Sequence, residues 1–244
     1  MSGERASDER FLPVHGFVLA GGKSSRMGVD KATLEFRGRP MVEIAVEKLR
    51  EFCAEVGICG NREDLSAFAP VVLEERVDAG PAAGIEAGLK AARHEWALFV
   101  PVDVPLVPVE LLRRWADGVV GKAGCGASYL VANGHRQPSF CMARREHYSV
   151  FSLALEENVR KLAIIFDWIK LEDGSKALWV SDASEFAGPP APSLGQMNFW
   201  FSNVNTPFEF DEAEAWAEFE AHKADPFRGY SQKSKSKDGA VGTG

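Results

Sequence analysis

Between positions 19 and 31 the chain sets three cations, Lys23, Arg26 and Lys31, among residues with little or no side chain: Gly21, Gly22, Ser24, Ser25 and Gly28. Small residues let a polyphosphate approach backbone N–H groups, and interspersed cations neutralise the charge that the backbone dipoles leave uncovered. The chemistry this pattern suits is phosphate binding. Spacing separates it from two common phosphate loops. A Walker loop ending in Gly22-Lys23-Ser24 needs a glycine at position 17, which is Phe17, and Gly16 comes one residue too early. The Gly-x-Gly-x-x-Gly dinucleotide fingerprint is also absent. A second group of interest is Asp103, a lone carboxylate between Pro101 and Pro105. Mg²⁺ prefers one or two carboxylates supplemented by phosphate oxygens and water, so one Asp beside a bound polyphosphate is sufficient. The competing reading of Asp103 is an N-cap for a helix over 108–117.

Elements must bring these groups to one place. A strand over 15–20 delivers the glycine loop at its carboxyl end, and a strongly apolar strand over 96–102 delivers Asp103 at its own. In open α/β sheets that edge is where ligands collect. Val42, Ala45, Val46, Leu49, Phe52 and Cys53 recur at helical spacing after a turn at 37–40, whereas Glu43, Glu47, Lys48, Arg50 and Glu51 read as a solvated face. Further strands are expected over 56–59, 71–73, 127–131, 179–180 and 199–203, with helices over 80–92, 108–117, 146–158, 161–170 and from 208 onward. Asn133-Gly134 suits a turn leading to a second extended segment that carries Gln137. A strand over 199–203 would put Asn203 and Asn205 on one side of the backbone, and Thr206 with Glu209 resembles a capping box.

Composition limits the classes of function. The chain has 244 residues, 45% of them hydrophobic, enough for one sizeable core. A net charge of −7 argues against a nucleic-acid surface. No apolar run approaches the length of a membrane span, the N-terminus is polar, and Cys53, Cys59, Cys125 and Cys141 lack zinc or redox spacing, so a cytoplasmic protein with reduced thiols is expected.

Leu19-Ala20-Gly21-Gly22, Ser25-Arg26-Met27-Gly28 and Asp30-Lys31, followed by Gly80-Pro81-Ala82-Ala83-Gly84, Val102-Asp103-Val104-Pro105 and Asn203-Val204-Asn205-Thr206-Pro207, resemble the motifs of the molybdenum cofactor guanylyltransferases, in the same order. The resemblance implies an α/β, three-layer Rossmann-like nucleotidyltransferase fold with a mainly parallel central sheet. It implies a single domain over 13–224 with a nucleotide half to about 120 and an acceptor half beyond; residues 1–12 are expected to be a flexible N-terminus, and the Lys-, Ser- and Gly-rich stretch over 225–244 a disordered tail. The implied activity is transfer of GMP from GTP to the phosphate of molybdopterin, releasing pyrophosphate. Catalytic roles then fall to Arg26, Lys31 and Asp103, with Mg²⁺ on Asp103. Nucleotide contacts fall to Leu19, Ala20, Gly21, Gly22, Lys23, Lys31, Asn61, Gly80 and an acidic residue, Glu75 by register with Asp78 as the alternative. Acceptor contacts fall to Gln137, Asn203 and Asn205. Partners would be GTP, a molybdopterin-type acceptor and, transiently, molybdoenzyme maturation proteins, with neither nucleic acid nor membrane. The chain departs from the family at Ala82, where Leu is usual, and at Val104, where Thr is usual. The alternatives are a cytidylyl or other NTP transferase of the same fold and a nucleotide-binding regulator without turnover.

Overall fold

The computed structural model describes residues 10–21, 31–76, 78–171 and 173–224, the last four of these by backbone alone. In chain order the elements are β1 (Leu12–Leu19), the short hairpin strands β2 (Glu35–Phe36) and β3 (Arg39–Pro40), α1 (Met41–Arg50), β4 (Cys53–Cys59), β5 (Val71–Val72), α2 (Pro81–Ala91), β6 (Trp96–Pro101), α3 (Val109–Val120), β7 (Ala127–Ala132), β8 (His135–Arg144), α4 (Tyr148–Glu156), α5 (Leu162–Asp167), β9 (Leu178–Asp182), α6 (Leu194–Trp200) and α7 (Pro207–Ala224). Seven strands form one sheet in the order β5-β4-β1-β6-β8-β7-β9. Only β8 runs against the others.

β1 and β6 lie at the centre with near-continuous buried runs, as strands covered on both faces require. Alternation sends Val14 and Val18 to one face, where they share a core with Met41, Val46 and Leu49 of α1, Trp115 of α3, Met197 of α6 and Ala213 of α7. Phe17 and Phe99 go to the other face and pack with Ile85 and Leu89 of α2, Phe151 of α4 and Phe166 of α5. The result is three layers, with helices on both sides of a mainly parallel sheet. Among the described residues no helix is long and apolar enough to cross a membrane.

The structure corrects several sequence expectations. α1 stops at Arg50, so Phe52 and Cys53 are buried by the turn and by the first residue of β4 rather than by a helix. The segment over 199–203 is not a strand. Ser193 accepts a hydrogen bond from Gln196 N–H at 3.1 Å while the Gln196 side chain accepts from Ser193 N–H at 3.2 Å, and this capping box starts α6. Met197 and Phe201, four residues apart, then point into the core. A local cap and a helical apolar pair outweigh the strand preference of an aromatic run. β8 begins at His135, and its register jumps from Tyr129↔Cys141 to Leu130↔Gln137, leaving residues 138–140 outside the ladder. Phe140, pushed out there, packs edge-on against Phe201 with ring centroids 5.3 Å apart. The tail expected over 225–244 lies outside the described residues.

Candidate functional site

The carboxyl edge of the parallel strands carries the site. Leu19 pairs with Cys59 on one side and Pro101 on the other, so β1, β4 and β6 end level with one another. The ladder continues one step further: Ala20 N–H donates to Cys59 O at 2.9 Å and Val102 N–H to Leu19 O at 3.2 Å. Leu19 and Ala20 therefore serve the sheet with these backbone groups, and the glycine loop proper starts at Gly21. Gly60 abuts that start. A Cβ on it would lie 3.1 Å from both the carbonyl carbon of Ala20 and the nitrogen of Gly21, so only glycine lets β4 run this close. Gly22, Lys23 and Arg26 lie outside the described residues.

Three predicted residues converge. The Lys31 ammonium donates to Asp103 Oδ2 at 3.0 Å and to Asn205 Oδ1, although Asn205 is 174 positions further along the chain. The Lys31 and Asp103 side chains are each 20% exposed, open enough for a ligand to reach. Asp103 is fixed by its backbone, whose carbonyl accepts from Val204 N–H at 2.8 Å. Asn205 is fixed from the other direction: Glu209 Oε2 accepts from Asn205 N–H at 2.9 Å, and Glu209 N–H donates to Thr206 Oγ1 at 3.2 Å. Thr206 thus caps α7 as its sequence suggests. The Glu209 carboxylate reaches back one residue further than a standard capping box and holds Asn205. Asn203 is exposed and, with Asn205, Glu209 and Glu212, lines a hollow of about 330 Å³.

The donor set fits a hard divalent cation. Asp103 Oδ2 and Asn205 Oδ1 are both oxygens and already face one positive group, the Lys31 ammonium. Among the described residues no cluster of three or more His, Cys, Asp or Glu side chains offers an all-protein cage. Two oxygens supplemented by phosphate oxygens and water are the coordination that Mg²⁺ or Mn²⁺ favours, whereas zinc prefers nitrogen and sulfur ligands.

The acidic residue beside the loop is not the one the register favours. Glu75 is exposed and turned away, bound by Lys90 at 2.7 Å, which holds its carboxyl below the usual range. Asp78 is exposed, with φ of 58°, and its carbonyl accepts from Arg160 Nη1 at 2.9 Å. Glu74 faces inward instead. A Cβ on Gly21 would meet Glu74 Oε1 at 2.4 Å, and one on Gly84 would meet it at 3.1 Å. Burial raises the Glu74 carboxyl pKa. Asn61 supports it, since its Oδ1 accepts from Glu74 N–H at 2.9 Å. Gly80 is exposed at the N-cap of α2. Gln137 is half-buried at the start of β8, which begins at this same sheet edge because β8 is antiparallel.

Lys48 is a residue that the sequence reading assigned to solvent. Its ammonium donates to Pro105 O and Val107 O, within the segment that follows Asp103, and burial pushes its pKa down to about 8. The signal was available: Lys48 stands four residues after Ile44 and seven after Met41, on the covered side of α1.

Comparison with known proteins bears on the family and the fold. The family model described as the MobA-like NTP transferase domain matches residues 16–168. A molybdenum cofactor guanylyltransferase of Vibrio cholerae is 35% identical over 156 residues, covering 62% of this chain and 75% of that protein. One of Polynucleobacter asymbioticus is 31% identical over 211 residues, covering 83% and 96%. The crystal structure of molybdopterin-guanine dinucleotide biosynthesis protein A from Archaeoglobus fulgidus superposes with a TM-score of 0.65 at 22% identity, covering 84% of this chain and 98% of that one, a likeness of fold.

Proposed function

The chain belongs to the MobA-like NTP transferase family, and from that premise we propose that it transfers GMP from GTP to the phosphate of molybdopterin, releasing pyrophosphate. The observation that carries the reading is the convergence of Lys31, Asp103 and Asn205, which unites the first, third and last sequence motifs at one sheet edge.

The acceptor phosphate is itself the nucleophile, so the protein has no nucleophile to generate. Its task is to hold two polyanions in line and to offset charge at the α-phosphorus. Lys31 contributes a cation that Asp103 and Asn205 hold ready beside the glycine loop. Arg26 and Lys23 add positive charge in the same loop. Asp103 and the Asn205 amide oxygen, which now accept from Lys31, would hold Mg²⁺. When bound, the cation would supply positive charge to offset that on the leaving pyrophosphate. Glu74 is the acidic nucleotide contact. A guanine base offers N1–H and an amino group, both donors, to a carboxylate acceptor, and the close packing of Gly21 and Gly84 keeps Glu74 at the entrance of the loop. The acceptor approaches from the side of Gln137, Asn203 and Asn205. The four buried, unpaired cysteines suit a reducing cytoplasm.

The test is pyrophosphate release with Mg²⁺, molybdopterin and each of GTP, CTP, ATP and UTP in turn. Release with GTP alone is expected. Release only with CTP would replace guanine by cytosine in this reading, and none with any nucleotide would overturn the transferase assignment for this acceptor.

A further inference from the structure

We infer that Lys48 is a positioning residue of the metal-binding segment: its buried ammonium holds the turn that presents Asp103, and so sets the affinity of the site for its divalent cation. The inference rests on the function proposed above and adds a residue remote from the reacting atoms.

Asp103 sits in Pro101-Val102-Asp103-Val104-Pro105-Leu106-Val107-Pro108, where three prolines lack the N–H with which a turn would ordinarily satisfy its own carbonyls. Val104 and Val107 are buried, so this segment runs partly under the surface. Between Val102, whose N–H still joins the sheet ladder, and Pro108, whose carbonyl starts α3, its backbone is tied from two sides. On one side Val204 N–H donates to Asp103 O at 2.8 Å. On the other the Lys48 ammonium donates to Pro105 O and to Val107 O, the latter at 2.7 Å. A three-donor group can satisfy two carbonyls at once, which no apolar or single-donor side chain of similar length could do.

Burying an ammonium is unfavourable, and burial pulls the Lys48 pKa down to about 8. An apolar residue would fill the same space on α1 without that cost. Two carbonyl acceptors directly after the metal carboxylate are what compensate for the charge. α1 also anchors the other half of the site, because Val42 N–H donates to Ala32 O at 3.0 Å and Met41 N–H to Leu34 O at 3.0 Å. One helix therefore links the segment bearing Lys31 to the segment bearing Asp103, and Lys48 is its contact with the second. Groups that orient metal ligands without touching the metal commonly change affinity by about 10- to 100-fold when removed.

The experiment compares wild type, Lys48→Met and Lys48→Arg as full chains. Mn²⁺ is the probe, its binding in the presence of GTP read by electron paramagnetic resonance at a temperature where circular dichroism shows each variant folded. In parallel, the Mg²⁺ concentration giving half-maximal pyrophosphate release is measured. Lys48→Met is expected to weaken Mn²⁺ binding and raise the half-maximal Mg²⁺ concentration about tenfold, leaving the KM for GTP at saturating Mg²⁺ within about twofold. Lys48→Arg, which keeps charge and donors, is expected to recover most of the loss. Unchanged metal affinity in folded Lys48→Met overturns the inference, as does a fall in kcat without any change in metal dependence. Should Lys48→Met not fold, Lys48→Gln is read in its place against the same criteria. Wild type that binds Mn²⁺ with GTP but transfers nothing would refute the proposed reaction and leave the Lys48 comparison standing. Wild type that binds no Mn²⁺ with GTP overturns both.

Discussion

At the scale of single residues, the site depends on a few charges whose neighbours decide what they do. Asp103 and Lys31 are paired at 3.0 Å, yet both remain partly open, so the pair can separate when nucleotide and cation enter. Lys31→Ala and Asp103→Ala are each expected to lower kcat/KM by about 10²- to 10³-fold, the usual cost of losing one charge-stabilising group, with circular dichroism unchanged. Turnover near wild type in either variant would remove that residue from the mechanism. Glu74 carries a pH signature. Burial raises its folded pKa above the ordinary value near 4.5, so the unfolded chain gives up this proton first. As pH climbs from about 4.5 through the folded value, the native state holds more protons and this group's contribution to stability falls. Glu74→Gln is therefore expected to melt at a higher temperature than wild type at pH 7.5, with the difference vanishing at pH 4, and to bind GTP roughly tenfold more weakly through loss of a charged acceptor. A variant that is no more stable at pH 7.5 than at pH 4, relative to wild type, would contradict the buried placement of the carboxylate.

Individual elements bring residues together that sequence distance keeps apart. β4 can approach β1 at its carboxyl end only because residue 60 is glycine, with φ of 154° and backbone atoms of residues 20 and 21 in the place of a side chain. Gly60→Ala is expected to cost about 1–3 kcal/mol, since the atoms it meets are backbone and cannot rotate away. Urea denaturation measures this, and a cost below about 0.5 kcal/mol would mean that the two strands are looser than described. Glu74 shows the limit of strand periodicity. β5 ends at Val72, so alternation carried forward from it no longer decides which of Glu74 and Glu75 faces the loop. Lys90 draws Glu75 outward, and the Asn61 side chain holds the Glu74 backbone. Likewise the aromatic run at 199–201 reads as a strand on its own, and the Ser193–Gln196 cap converts it to helix. These outcomes depend on contacts that no local window contains.

For the whole molecule, the sheet supplies a rigid edge and both cores close away from it, so ligand binding should add to stability rather than create it. Mg²⁺·GTP at 100 times its Kd would stabilise the native state by about 2.7 kcal/mol, a Tm rise on the order of 5–10 °C for a chain of this size. Differential scanning fluorimetry with and without EDTA tests this. Chelation should abolish both the shift and the turnover while the chain without ligand melts cooperatively. Collapse of the fold on chelation would show that the cation is structural.

Local chemistry made much of this protein legible in the chain itself. Glycines and cations between 19 and 31 suit phosphate binding, a carboxylate flanked by prolines after an apolar run suits a ligand position at a sheet edge, and the alternation of apolar runs with amphipathic segments specifies an α/β layer fold; each follows from a residue and its near neighbours. The tertiary structure decided what near neighbours cannot: that Asn205 and Asp103 meet at Lys31, that Glu74 rather than Glu75 turns inward, and that Lys48 leaves solvent to hold the segment after Asp103. Each of these requires a partner from another strand or helix, and burial by that partner, rather than the side chain's own polarity, fixes where the group points.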